Sequence, residues 1–297
     1  MSPRAPAAID RSSRPPAADD APDPRSWTVL GRTVGLPVEV RKARQWGVQY
    51  LVPTAAAQRL VSPTGLEVTG PVPGRALVAL AVCRYDDTDL GPYHEVAVSF
   101  VVRLHDAPPR PSTGRRAKEF ATGAIGAYIH RLPVDQEFTC VAGRDIWGFP
   151  KWVTEIDIDE AAPGDNRPGT GTTVRLVDAG VHVLSLTIAG GGRLALPAQA
   201  PPSYSFGDRI LRRTTWTTSS EGATGRFGGA TLVLGDHPMA DELRSLGLPK
   251  RALFSSSACM RASFDAAEVV EAPRRGRPRR CPSAADVPMV DHARPHP

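Results

Sequence analysis

A β-rich barrel or sandwich with one or two short helices is the fold class that this 297-residue sequence predicts. Three observations predict it. Apolar residues come in runs of strand length bounded by turn residues, helical start and stop signals are few, and no segment repeats at a solenoid-like period. Thr54 can cap a short helix running through Val61. Ala76–Cys83 is a continuous apolar run that suits a buried strand, although periodicity alone leaves a helix open. Glu95–Leu104 mixes polar and apolar residues and places Val96, Val98 and Phe100 on one face. Thr172–Val177 and Val181–Ile188 flank Asp178-Ala179-Gly180, a short Gly-containing loop that argues for a hairpin. Gly190-Gly191-Gly192 marks a turn, and Met239–Leu246 fits a second helix that stops at Gly247.

Composition narrows the function classes. With 41% hydrophobic residues the chain can bury a substantial core. The formal charge of +5 is unevenly spread: residues 273–297 hold six arginines against two aspartates, whereas the four arginines and four aspartates of residues 1–25 cancel. The body is thus close to neutral and offers no electrostatic footprint for nucleic acid. Both ends, 1–25 and 273–297, are expected to be disordered, because they are rich in Pro and Ala and poor in large apolar side chains. The basic stretch Arg274–Arg280 resembles the AT-hook, a Gly-Arg-Pro core that lies in the DNA minor groove. A solubilising tail is the simpler reading, and nucleic acid is not an expected partner. No apolar run approaches the ~20 residues of a membrane span, so no membrane partner is expected either. Cys83, Cys140, Cys259 and Cys281 show neither C-x-x-C spacing nor a disulfide framework, which points to a reducing, cytoplasmic setting. The histidines form no metal-ligand pair, and any chemistry is expected to proceed without metal or cofactor. Ser255-Ser256-Ser257 lacks the Gly-x-Ser-x-Gly turn of a serine hydrolase.

The residues that carry chemistry lie in Cys140–Ile156, CVAGRDIWGFPKWVTEI. Lys151 follows Trp147, Gly148, Phe149 and Pro150 and precedes Trp152. A lysine among aromatic rings loses hydration, which works against its charged form, and only an unprotonated amine attacks a ketone. The alternative is a surface lysine opening a strand. Alternation after Pro150 places Lys151, Val153, Glu155 and Asp157 on one face and Trp152, Thr154, Ile156 and Ile158 on the other. That face fits a barrel lumen and a solvent surface equally well.

Tyr128–Lys151, YIHRLPVDQEFTCVAGRDIWGFPK, resembles the acetoacetate decarboxylase family across the segment that holds its Schiff-base lysine. The Tyr/His strand, the Asp-x-Glu step, the Gly-Arg-acid triplet and the aromatic-Pro-Lys ending all recur without a gap. Gly91-Pro92-Tyr93-His94-Glu95 resembles that family's Gly-x-Tyr-x-Glu segment. A third block runs from Asp236-His237-Pro238-Met239 to Ser255-Ser256-Ser257. Together the blocks span roughly residues 28 to 272.

The resemblance implies a mainly β (α+β) protein: a closed antiparallel β-barrel or cone with a few short flanking helices and the lysine inside. It implies a homo-oligomer and a small keto-acid substrate. Lys151 would be the nucleophile and Glu95 the group that gives and takes a proton, unless Glu95 merely pairs with a surface base. Trp147 and Phe149 would wall the pocket, or pack as ordinary core aromatics. Arg144 would hold the Lys151 loop by bonding an acid or loop carbonyls, or else clamp the substrate carboxylate through two parallel bonds. The family is itself the standard example of a lysine activated by a cationic neighbour, yet that neighbour is Trp152 here. Counting back from Glu95, a further acid of the family lands on Leu80. The family's early arginine, which helps with the substrate carboxylate, aligns with Gln45, leaving the adjacent Arg44 as the candidate and Arg41 behind it. The expected function is a metal-independent Schiff-base carboxy-lyase that decarboxylates acetoacetate or a related β-keto acid. A Schiff-base aldolase or dehydratase of 2-keto acids, and a non-catalytic binding protein, stand as alternatives.

Overall fold

Strands that are apolar on both faces need cover on both sides, and this chain provides it by closing one sheet into a barrel and laying a second sheet over it. The computed structural model describes residues 25–104, 125–160, 171–189, 191–192 and 201–270. The tails expected to be disordered, including the Arg274–Arg280 stretch and Cys281, lie outside these residues apart from Arg25, as does Gly190 of the expected turn.

A hairpin of β1 (Ser26–Val29) and β2 (Arg32–Gly35) leads into the long β3 (Val38–Pro53), then helix α1 (Thr54–Val61), β4 (Leu66–Val68), β5 (Arg75–Thr88) and β6 (Tyr93–Leu104). Next come β7 (Gly126–Val134), helix α2 (Glu137–Trp147), β8 (Lys151–Val153) and β9 (Glu155–Asp159). The hairpin of β10 (Thr172–Asp178) and β11 (Val181–Ile188) precedes β12 (Ser203–Gly207), β13 (Ile210–Phe227) and β14 (Ala230–Leu234). Helix α3 (Pro238–Ser245) and β15 (Phe254–Val269) complete the described chain.

Seven strands close the barrel in the order β6-β5-β3-β15-β13-β12-β7, with β7 returning to β6. The pairings around this ring are antiparallel except β12 with β7, so the closed barrel is mixed rather than wholly antiparallel. β8 also runs parallel to β7, and α2 supplies the crossover that a parallel pairing requires. Register shifts in β3, β13 and β15 mark bulges, which bend long strands around a closed ring.

The outer sheet has the order β14-β11-β10-β9. Val78, Leu80 and Val82 on β5 and Val96, Val98 and Phe100 on β6 join Val174, Leu176 and Leu184 of that sheet in the main core. The other face of the same barrel strands lines the lumen. The segment after Pro150, read from sequence as one strand, is split between the two sheets. β8 stays with the barrel and β9 joins β10, the break falling at buried Thr154. Thr154 ties both layers, its N–H donating to Val134 O at 2.8 Å and its hydroxyl to Val177 O at 2.5 Å. Val153, expected to share the Lys151 face, is consequently exposed.

Helix α1 starts at Thr54, which is its first residue rather than its cap, since Pro53 precedes it with no side-chain capping bond, and α3 differs from its expected bounds by one residue at each end. His237 is the N-cap of α3, accepting from Met239 N, and Pro238 takes the first turn, where no N–H is required. The Asp236–Met239 block therefore builds a helix start. Glu242 on α3 accepts hydrogen bonds from Arg131 and contacts the His130 ring at 3.0 Å, binding the helix to β7. Burial alone would raise the Glu242 carboxyl, but these partners outweigh it and bring it down to about 2. A lowered folded-state value means that the pair stabilises the protein above the ordinary carboxylate range and that this is lost as pH falls toward 2. Glu242→Gln should lower stability at neutral pH by roughly 1–2 kcal/mol, and the gap to wild type should close between about pH 4.5 and 2. Denaturant unfolding of both proteins across that range checks it.

Candidate active site

The site begins with how Lys151 is anchored. Helix α2 is capped at its N-terminus by the Gln136 side chain, which accepts from Thr139 N at 2.7 Å, and ends at Gly148 in the left-handed conformation. The chain then doubles back. Phe149 N bonds Gly143 O at 3.0 Å, Lys151 N bonds Phe149 O at 2.8 Å, and Arg144 Nε donates to Lys151 O at 2.6 Å. Arg144 thus holds a loop carbonyl. Gly143 matters for a steric reason: a Cβ there would sit 2.5 Å from Lys151 Cδ and 2.6 Å from Cε. The lysine stem lies directly against the helix backbone.

Held in this way, Lys151 is 4% exposed, and its Nζ stands 2.7 Å from Glu95 Oε2. Glu95 comes from β6, on the lumen face that follows from its pairing with Cys83 on β5. The Tyr85 hydroxyl donates to Glu95 Oε1 at 3.3 Å, and the Tyr85 and Tyr93 rings stack with centroids 4.3 Å apart. Lys151 Nζ lies 5.2 Å from the Tyr93 ring centre. Burial pushes both phenols well above their ordinary range, and it pushes the Cys83 thiol up to about 12, with the Glu95 charge adding to the effect. All three stay protonated at neutral pH, so Tyr85 serves as a donor and Cys83 does not compete as a nucleophile.

The amine and carboxylate open onto a cavity of about 330 Å³ inside the barrel. Trp147 and Phe149 both line it, stacked with centroids 6.0 Å apart. Phe264 and Trp216, themselves stacked at 5.2 Å, extend this aromatic wall. Trp147 Nε1 donates to Asp265 O at 2.8 Å, which fixes the indole against β15.

Arg44 does not join them. It pairs with Glu160, and its guanidinium lies 5.3 Å from the Trp46 ring on the outer face. The neighbours Gln45, Gly47 and Gln49 line the cavity instead, as strand alternation requires. Arg41 pairs with Asp87 and Asp89 among exposed residues. Among the described residues lining the cavity, Lys151 is the sole cation. Trp152 faces away, its Nε1 donating to Asp178 at 3.2 Å, and Leu80 is fully buried in the main core.

Sequence reasoning gave no role to Tyr85, Gly143, Gln45 or Gln49. The spacing Cys83-x-Tyr85 and Tyr93-x-Glu95 across one hairpin held a usable signal, since period-two positions on paired strands share a face.

A sequence model described as "Acetoacetate decarboxylase (ADC)" matches residues 31–273. A search of curated protein sequences finds no match. Among solved structures, an acetoacetate decarboxylase from Legionella pneumophila superimposes with a TM-score of 0.60 at 16% identity, covering 85% of this chain and 93% of that one. The enduracididine biosynthesis enzyme MppR, complexed with the condensation product of pyruvate and imidazole 4-carboxaldehyde, gives 0.57 at 16% identity, covering 78% and 88%. An acetoacetate decarboxylase-like enzyme from Sphingomonas wittichii gives 0.53 at 16%, covering 81% and 96%. Likeness at these identities concerns the fold. With the family match spanning most of its length, this chain belongs to the acetoacetate decarboxylase family.

Proposed function

We propose that this protein is a Schiff-base carboxy-lyase that decarboxylates a β-keto acid through an imine on Lys151. The observation that carries the reading is the buried contact of 2.7 Å between Lys151 Nζ and Glu95. Inside a cavity, an amine and a carboxylate at hydrogen-bond distance exchange a proton without either side chain moving. The amine adds to the ketone carbon, and Glu95 passes a proton to the resulting hydroxyl, which leaves as water. The protonated imine then draws in the electron pair of the bond to the carboxylate, and carbon dioxide departs. Glu95 protonates the enamine carbon, and water adds to the imine to release the ketone and restore the amine. The sum consumes one keto-carboxylate ion and one proton and yields one ketone and carbon dioxide. Tyr85 orients Glu95 throughout, and the aromatic wall of Trp147 and Phe149 limits water at the imine.

A second reading has support of its own. No guanidinium lies on the described cavity wall to fix a leaving carboxylate, and the fold relatives include MppR complexed with a condensation product of pyruvate and an aldehyde. An aldolase would use the same imine and direct the enamine at an aldehyde.

Intact mass after borohydride treatment with acetoacetate, and separately with pyruvate, tests the shared step. Wild type should carry a covalent adduct, and Lys151→Ala should carry none. Release of carbon dioxide from acetoacetate separates decarboxylation from condensation. Glu95→Gln should lower turnover by about 10²–10⁴-fold, the usual scale for loss of a general acid–base, while adducts still accumulate slowly. Gly143→Ala should fold but displace the amine. A shift on the order of 1 Å at a reacting group costs about 10²-fold, so kcat should fall steeply with little change in unfolding midpoint.

A further inference from the structure

The cavity is larger than a four-carbon keto acid needs. A volume of 330 Å³ equals roughly eleven water molecules at about 30 Å³ each. The excess room follows from sequence. Gly47 on β3 stands opposite Ala81 on β5 and Ser256 on β15, Ala81 stands opposite Ala97 on β6, and Ala79 stands opposite Ser99. All of these line the cavity, and none carries a side chain long enough to cross it. Glu95, Ala97 and Ser99 succeed one another on the lumen face, so the belt of small residues continues about 13 Å along the barrel from Glu95, at ~3.3 Å per residue.

This groove has a defined far end. Gln49 pairs with Ala79, which pairs with Ser99, so a carboxamide and a hydroxyl share the level at the end of the small-residue belt. Both line the cavity, and both are uncharged. Because Lys151 is the sole cation on the described wall, nothing there matches a second charge on the substrate.

Resting on the Schiff-base reading above, we propose that the substrate is a 3-oxo acid of about six to eight carbons in all, with an uncharged aliphatic chain. Its carbonyl lies at Lys151, and its chain runs along the Gly47–Ala81–Ala97 belt toward Gln49 and Ser99. The chain supplies binding free energy remote from the reacting carbon, each buried methylene contributing roughly fourfold in affinity. Without it the groove would hold water or stand empty, and a shorter substrate would lose those contacts.

The test uses methyl ketones, the stable products of such acids, because they form the same imine with the chain in the same place. Purified full-length protein is treated with borohydride in an equimolar mixture of propanone, 2-pentanone and 2-heptanone, and the adducts are resolved by intact mass. The proposal expects the 2-heptanone adduct to exceed the propanone adduct by at least tenfold. Ala97→Leu, which fills the belt two residues from Glu95, should bring that ratio close to one. Ala81→Val serves the same purpose should Ala97→Leu fail to fold, and the wild-type competition stands without either variant. Adducts in equal yield, or favouring propanone, would overturn the chain proposal and leave Schiff-base formation intact. Adduct formation with pyruvate followed by addition of an aldehyde, in place of the long-chain preference, would assign the excess volume to a second reactant. Absence of every ketone adduct at Lys151 would remove the Schiff-base reading and this inference with it.

Discussion

The contact of Lys151 with Glu95 is the constraint around which this protein is organised. An amine and a carboxylate can be buried together only when each answers the other, since an isolated buried charge costs several kcal/mol or more. The fold meets that condition from two directions. β6 delivers the carboxylate from the barrel wall, and the α2–β8 turn delivers the amine from the barrel end. Gly143 lets the lysine stem press on the helix, Arg144 fixes the Lys151 carbonyl, and Tyr85 takes the second carboxylate oxygen. The two protonated phenols and the thiol around the pair add no competing charge.

Much of this architecture is legible in sequence because it rests on local rules. β5 and β6 show as apolar runs, and the β10–β11 hairpin is marked by its Gly-containing loop. Helix α3 announces itself by its ends, whereas α1 begins after Pro53 without the Thr54 cap that the sequence suggests. Helix α2 is less legible, although Gln136 at its start and Gly148 with Pro150 at its end are ordinary boundary signals. Gly143 at its centre weakens the helical pattern, and the residue's purpose is visible only when Lys151 folds back onto it. Barrel closure depends on β7 meeting both β6 and β12, long-range pairings that no local pattern encodes.

Lys151 and Glu95 could be singled out from motif and chemistry, and the structure brings them into contact. The direction of Arg44 could not, because a strand fixes facing by register and one residue decides between lumen and exterior. The cavity's depth was equally hidden. Gly47, Ala81 and Ala97 are unremarkable in a strand, and their smallness acquires meaning only when three strands set them side by side.

The break at Thr154 divides the molecule's labour. The strand that carries Lys151 leaves the barrel there for the outer sheet, so Lys151 is braced by a layer outside the cavity. The α2–β8 segment contributes to the cavity only Trp147, Phe149 and Lys151, whereas most of the remaining wall belongs to β3, β5, β6, β7 and β15. The amine's support and most of the cavity wall thus lie on different segments, which meet at Glu95. Positions such as Ala97 and Ser99 can change in size without disturbing the turn that anchors the amine, so the cavity's shape and the support of Lys151 can vary independently.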